Sequence, residues 1–278
     1  ATAYASQATG MQINVGRIDL RFPLNLLVRD VEVIQAPDTL LTLASLNVHV
    51  QAMPLFKGKI EVDDITIQRV AVNSANLIEG MQIRGVLGRF FLESHGVDLA
   101  NEAAVINRAE LSDTHIGLIL ADTTTTEKPD TTSAPVNWKV NLHALNLKNV
   151  SFSMQLPADS MRMAAHVGEA TVNDVSADLK QQFYGLRSFL LTGASVNYDT
   201  GNALPAEGFD PSHIALRDIR IGIDSVLYQG RNMNAVIREF SMNERSGLSV
   251  TSLTGRVFAD STLIRVPYFR LLTPHSEM

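Results

Sequence analysis

The sequence predicts an all-β protein: an elongated, curved, mainly antiparallel sheet forming an open apolar groove, after a short N-terminal helix. Two observations carry the strand reading. The apolar fraction is 45%, yet aromatic residues make up only 6% and charged residues 19%, so the apolar part is largely aliphatic and suits strands. In addition, four stretches place apolar residues at steps of three, two, three and two. They are Val62, Ile65, Ile67, Val70, Val72; Leu142, Leu145, Leu147, Val150, Phe152; Val167, Ala170, Val172, Val175, Ala177; and Leu186, Phe189, Leu191, Ala194, Val196. Looser copies run through Val28, Val31 and Val33, and through Leu216, Ile219 and Ile221. On a helix these positions scatter around the axis. On a flat strand they fall on both faces. If each three-residue step absorbs an extra residue as a β-bulge, all five return to one face and the strand bends.

Taken in order, residues 2–9 suit a short helix stopped by Gly10. Strands are expected over Gln12–Arg21, Leu26–Gln35, Leu40–Gln51, Lys59–Ala75 and Gly80–Ser94, with Pro23, Pro37 and Pro54 between them. Leu99–Asn107 suits a helix or a strand. Residues 121–136 are threonine-rich, hold little to bury and read as a flexible loop. The strand grammar resumes at Trp138 and continues to Arg270, with Gly201, Gly208, Gly230 and Gly247 marking turns. The expected organisation is a helix over 1–10, a first groove part over 11–120, the loop, and a continuation of the groove over 137–278; a two-domain reading stays open.

Several function classes are disfavoured. A net charge of −6 without a basic segment argues against nucleic-acid binding. The absence of cysteine removes disulfides and thiolate metal sites. No apolar run is long enough for a transmembrane helix, and the first residues lack the features of a signal peptide. Both ends read as cut, so a piece of a longer protein is expected. No two of the seven histidines lie three or four residues apart, so no compact zinc pattern exists and local hydrogen bonding is expected for them. Asp63-Asp64 could form a carboxylate pair. Asn173-Asp174, Lys148-Asn149 and Arg217-Asp218 occupy the same step elsewhere, however, which favours solvated residues at a bend. There is no G-x-S-x-G, P-loop or G-x-G-x-x-G pattern. No catalytic residue, metal or cofactor is expected.

The apolar faces leave two outcomes. Two sheets could pack into a closed sandwich with a dry core. Alternatively, one sheet could curl into a trough whose apolar face holds lipid chains. The candidate lining residues are Ile65, Ile67, Val70, Leu145, Leu147, Val150, Val172, Leu191 and Val196.

Met11–Pro23 followed by Leu27–Val33, and the segment Leu55–Ile65, resemble the opening of AsmA-like and TamB-like proteins of the translocation and assembly module. Gly208–Leu216, Ser246-Gly247-Leu248 and Leu272–Ser276 are similar to the TamB version found in Bacteroidetes. The resemblance covers nearly the whole chain outside the threonine-rich loop. It implies a periplasmic segment of a protein held in the inner membrane by an N-terminal helix absent from this sequence. It further implies a repeating β-groove, related to bridge-like lipid transfer proteins, that carries phospholipid toward the outer membrane and supports its biogenesis. An outer-membrane barrel of the Omp85 type is the implied partner of the full-length protein. A scaffold that assembles outer-membrane proteins by β-strand addition is the alternative.

Overall fold

The computed structural model describes residues 11–22, 24–51, 62–74, 77–78, 80–98, 101–121 and 137–278. Their regular structure is strand throughout, apart from one 3-10 turn at Pro157–Asp159. The strands are β1 (Gln12–Arg21), β2 (Asn25–Gln35), β3 (Asp38–Val50), β4 (Val62–Asn73), β5 (Met81–Asp98), β6 (Ala103–Leu120), β7 (Lys139–Leu156) and β8 (Met161–Asp178). They continue as β9 (Phe183–Leu186), β10 (Ser188–Asp199), β11 (His213–Gln229), β12 (Asn232–Glu244), β13 (Ser249–Val250), β14 (Ser252–Ala259) and β15 (Ile264–Leu272). All belong to one sheet, ordered β1 to β8, then β10, β11, β12, β14 and β15, with β9 and β13 off this path. Every pairing is antiparallel except β6 with β7, so the chain leaves β6 at one end of the sheet and enters β7 at the other.

The all-β expectation holds. Residues 103–107 of the ambiguous stretch belong to β6, and the sheet is continuous at β6–β7. The expected helix over 2–9 and residues 122–136 of the expected loop lie outside the described residues.

Three of the three-residue steps, Val62–Ile65, Leu191–Ala194 and Leu216–Ile219, shift the register against a neighbour as expected of a bulge, and the others differ. A bulge sets two residues against one and shifts the register. At those other steps neighbouring strands carry their extra residue at the same level, so the register runs on. Val15 pairs Val31 and then Arg17 pairs Arg29; Lys148 pairs Glu169 and then Val150 pairs Val167. The positions passed over form one line across nine strands: Gly16, Asp30, Ala44, Arg69, Gly88, Asp113, Asn149, Gly168 and Gly193.

This line is a crease with its own backbone chemistry. Asp30, Arg69, Asp113, Asn149 and Gly193 have left-handed φ values of 52°, 50°, 51°, 52° and 63°. Asp, Asn and Gly visit that region most readily. Antiparallel neighbours cross the crease in opposite directions, and each left-handed residue there faces a strand that offers almost no side chain: Gly16, Ala44, Gly88 or Gly168. The reason is contact. A Cβ on Gly88 would lie 2.7 Å from the Asp113 Cβ and 2.8 Å from its carbonyl oxygen. The parallel pair instead sets Asp113 beside Asn149, and the Asn149 amide donates to the Asp113 carboxylate at 2.8 Å. The alternation breaks at β10–β11, where Gly193 and Asp218 (φ 54°) are both left-handed, and there the register slips.

A second, less regular crease runs six residues away along each strand, through Asn107, His143, left-handed Asp174 (φ 49°), Arg187 and Asp224. Each three-residue step puts two successive side chains on the polar face. That lengthens the polar face and bends the strand toward the apolar one. At a strand rise of 3.3–3.4 Å, the two creases bound a floor about 20 Å wide.

Among the described residues no large side chain is fully buried, and the most buried apolar residues are Leu40, Ala104, Ala109, Ala170, Ala194 and Ile219. A closed sandwich would sink its large aliphatic residues into a dry core. The described strands form one layer with a half-exposed apolar face.

Two predictions follow from these contacts. Gly88→Ala forces a Cβ into the Asp113 backbone, so it lowers stability by about 1–3 kcal/mol, read as a reduced urea midpoint. In the turn before β11, the Asp210 carboxylate accepts the N–H groups of Ala206 and Ser212 at 3.0 and 2.9 Å and bonds His213 Nδ1 at 2.9 Å. The Ala206 N–H, then His213 and the Ser212 N–H, pull its carboxyl from 3.8 down to about 2. A depressed acid stabilises the fold above its ordinary value and loses that contribution as pH falls toward 2. Asp210→Asn flattens the pH dependence of thermal stability between about pH 4 and 2.

Candidate functional site: the apolar trough

The register alone assembles the site. Ile18, Val28, Leu46, Ile67, Phe90, Leu111, Leu147, Ala170, Leu191, Ile221 and Phe240 are successive cross-strand partners from β1 to β12. They form an unbroken apolar row. A parallel row carries Ile65, Leu92, Ala109, Leu145, Val172 and Phe189. These two rows are the floor between the creases. Beyond the first crease, Val70 and Leu87 lead to Val150 and Val167, and the next row reaches Val196 through Phe152 and Ala165. The sheet path spans roughly 60 Å at 4.7–4.9 Å per strand.

All nine residues singled out from sequence fall on this one face. Ile65, Leu145 and Val172 share one floor row; Ile67, Leu147 and Leu191 share the other. Val70 and Val150 lie just past the first crease, and Val196 lies one row further. Each is half-buried. The face is wider than that set. Phe90, Leu111 and Ile221 sit in the same row as Leu147, but they become members of it only once strand pairing is known.

Polar groups on this face are few and occupied. The buried Thr114 hydroxyl donates to the Ser112 carbonyl at 3.0 Å. Glu244 ends one row in β12, and its carboxylate accepts the N–H groups of Ser246 and Ala215. The Ser246 hydroxyl and N–H hold its carboxyl below the usual range. Tyr184 and Tyr228 stack at 5.9 Å where β9 meets β11. The face is most open at the ends of the sheet path, as at Leu20 and Ile264, which are 70% and 71% exposed.

The opposite face carries the charge. Arg89 and Arg108 lie over the Phe91 ring at 5.4 and 4.9 Å, and Arg89 pairs Glu110 at 2.8 Å. Six histidines bond neighbours on this side. His49 bridges Asp64 and Asn25 at 2.6 Å each. His143 meets Asp174, which Arg187 also contacts. His95, His115, His166 and His213 meet Asn107, Ser153, Ser151 and Asp210. Asp64 is thus held by His49, while Asp63 sits where the β3–β4 register slips, which is the bend reading of that pair. Among the described residues no three His, Asp or Glu side chains group to hold a metal, and no helix is long and apolar enough to cross a membrane.

Chemically, the trough offers non-directional apolar contact along the roughly 60 Å of the strand path, and contiguous apolar surface left exposed on a monomer marks an interaction site. With no polar anchor projecting from the floor rows, it favours hydrocarbon without fixing its position along the sheet. The fold and site therefore define a single-layer β-trough with an apolar lining. No protein-family model matches this sequence, and no curated protein matches it either.

The open face has a direct consequence. The chain contains no cysteine, so Leu147→Cys supplies its only thiol. In delipidated native protein that thiol reacts with a small maleimide within about tenfold of the rate at Lys148→Cys, whereas a closed core protects it by orders of magnitude. Leu147→Ala lowers stability by roughly 1 kcal/mol, below the ~2–5 kcal/mol of a filled core.

Proposed function

We propose that the chain is a segment of a non-enzymatic lipid conduit, in which phospholipid acyl chains lie along the apolar rows and headgroups sit toward the open, wetter side. One observation carries this reading: the apolar row from Ile18 to Phe240 is uninterrupted, and every member except Ala170 keeps part of its surface exposed. A surface of that size left bare in water would aggregate. An acyl chain covers it without needing a hydrogen bond, and weak binding at each point permits movement. The resemblance to AsmA-like and TamB-like proteins supports the same occupant. On that reading the segment lies in the periplasm of a protein anchored in the inner membrane, conducts phospholipid toward the outer membrane, and works with an Omp85-type barrel.

The second reading, a scaffold for outer-membrane proteins, rests on a different observation. Among the described strands β1 pairs only with β2 and ends the strand order, and an edge strand is the kind of element that strand addition extends. The C-terminal tail partly occupies the corresponding edge of β15, where Met278 and Leu271 exchange backbone hydrogen bonds at 2.9 Å.

The conduit reading predicts that gently purified protein carries extractable phospholipid in native mass spectrometry. Photoreactive residues at Ile67 and Leu147 crosslink to it, and one at Lys148, on the polar face, does not. Leu147→Glu reduces the bound lipid several-fold with little change in fold, because the site is open to water. Protein repeatedly free of lipid, with no crosslink at Ile67 or Leu147, contradicts it.

A further inference from the structure

We propose that the polar face of β1–β5 holds a binding site for a phosphate-bearing anion, centred on Arg69. A recess of about 700 Å³ opens there, lined by Arg21, Arg29, Arg69 and Arg89 together with amide and hydroxyl donors such as Asn47 and Gln68. Arg29, Ser45, Gln68 and Arg89 are successive cross-strand partners, so Arg29 and Arg89 stand three strands apart, roughly 14 Å. Arg69 is the next residue along β4, in the first crease. Four arginines thus line the recess with a single carboxylate, Asp30, in a chain whose net charge is −6. Arg89 is shared with Glu110, whereas Arg21, Arg29 and Arg69 have no ion pair or side-chain hydrogen bond among the described residues.

The backbone gives an independent reason to single out Arg69. The other left-handed positions of the two creases are Asp30, Asp113, Asn149, Asp174, Gly193 and Asp218, all of types that adopt this conformation readily. Arginine does not, and at φ 50° it breaks the local rule that its counterparts obey. Strain of this kind clusters at active sites and ligand clamps. Its crease neighbours in β3 and β5 are Ala44 and Gly88, which leave the guanidinium stem uncrowded.

The chemistry selects the ligand class. Guanidinium forks pair bidentately with phosphate oxygens, and three unpaired forks suit a group carrying more than one negative charge. Pyrophosphate in solution and the phosphate of a lipid headgroup share that chemistry. The site lies on the face opposite the trough, so it does not depend on what the trough carries.

The test uses the whole chain, inorganic pyrophosphate by titration calorimetry, and flotation with vesicles of equal parts phosphatidylglycerol and phosphatidylcholine. Arg69→Asn removes the charge and installs a residue suited to the left-handed backbone. It is expected to leave the urea midpoint unchanged or raised while weakening binding at least tenfold, to about the level reached with Arg29→Gln. Arg162→Gln, outside the recess, leaves binding unchanged. Loss of pyrophosphate binding in Arg69→Asn identifies a soluble phosphate ligand; loss of vesicle binding alone identifies a headgroup. If neither probe binds, if Arg69→Asn binds as well as Arg162→Gln, or if its urea midpoint falls, the proposal is overturned.

Discussion

The structure depends on one steric constraint: along the crease, a left-handed residue must face an antiparallel neighbour with almost no side chain. The constraint cannot be met strand by strand. If one strand took an extra residue and its partner did not, the register would shift and the partner's apolar set would turn to water. The crease therefore passes from Gly16 to Gly193 as a single line, and every strand it crosses takes its extra residue at the same level. One flat sheet becomes a folded plate with a common inner face. The polar side chains released at the bend bond each other across strands, as Asn149 does to Asp113 and Asn243 to Asp218.

This arrangement explains why the molecule holds together without a dry core. Each strand contributes its backbone ladder, and cross-strand aliphatic pairs such as Leu145 with Val172 and Leu147 with Ala170 stabilise the inner face. The ion pairs of the outer face are solvent-exposed and contribute little individually. What the fold leaves uncovered is the inner face itself. An ordinary globular domain would close that surface; here the two creases hold it as a floor with rising sides. The proposed hydrocarbon occupant would complete the burial that the protein leaves unfinished.

Much of this was legible in the sequence, and the limits have physical causes. The three-two-three-two spacing located the inner face because a side chain's face is a local property of its own strand. The equivalence of Asn173-Asp174, Lys148-Asn149 and Arg217-Asp218 marked the bend for the same reason: three of those residues, Asp174, Asn149 and Asp218, are left-handed. The crease itself was not legible as such. A bulge and a crease look alike in one strand and differ only in what the neighbour does, so pairing had to be known before Gly88 could be set against Asp113. The parallel β6–β7 pair was hidden likewise, because periodicity carries no strand direction. The arginines around Arg69 went unnoticed because they are scattered from position 21 to 89 and gather only through the register of five strands.

The central claim is that hydrocarbon occupies the inner face and leaves the outer face untouched. It is tested most directly by methyl NMR on the protein with selectively labelled Ile, Leu and Val methyl groups and a phospholipid bearing a nitroxide on its acyl chain. The account predicts paramagnetic broadening at Ile67, Leu147 and Leu191, with Leu27 and Ile119 on the outer face remaining sharp. Equal broadening on both faces, or none at the floor residues, would contradict it.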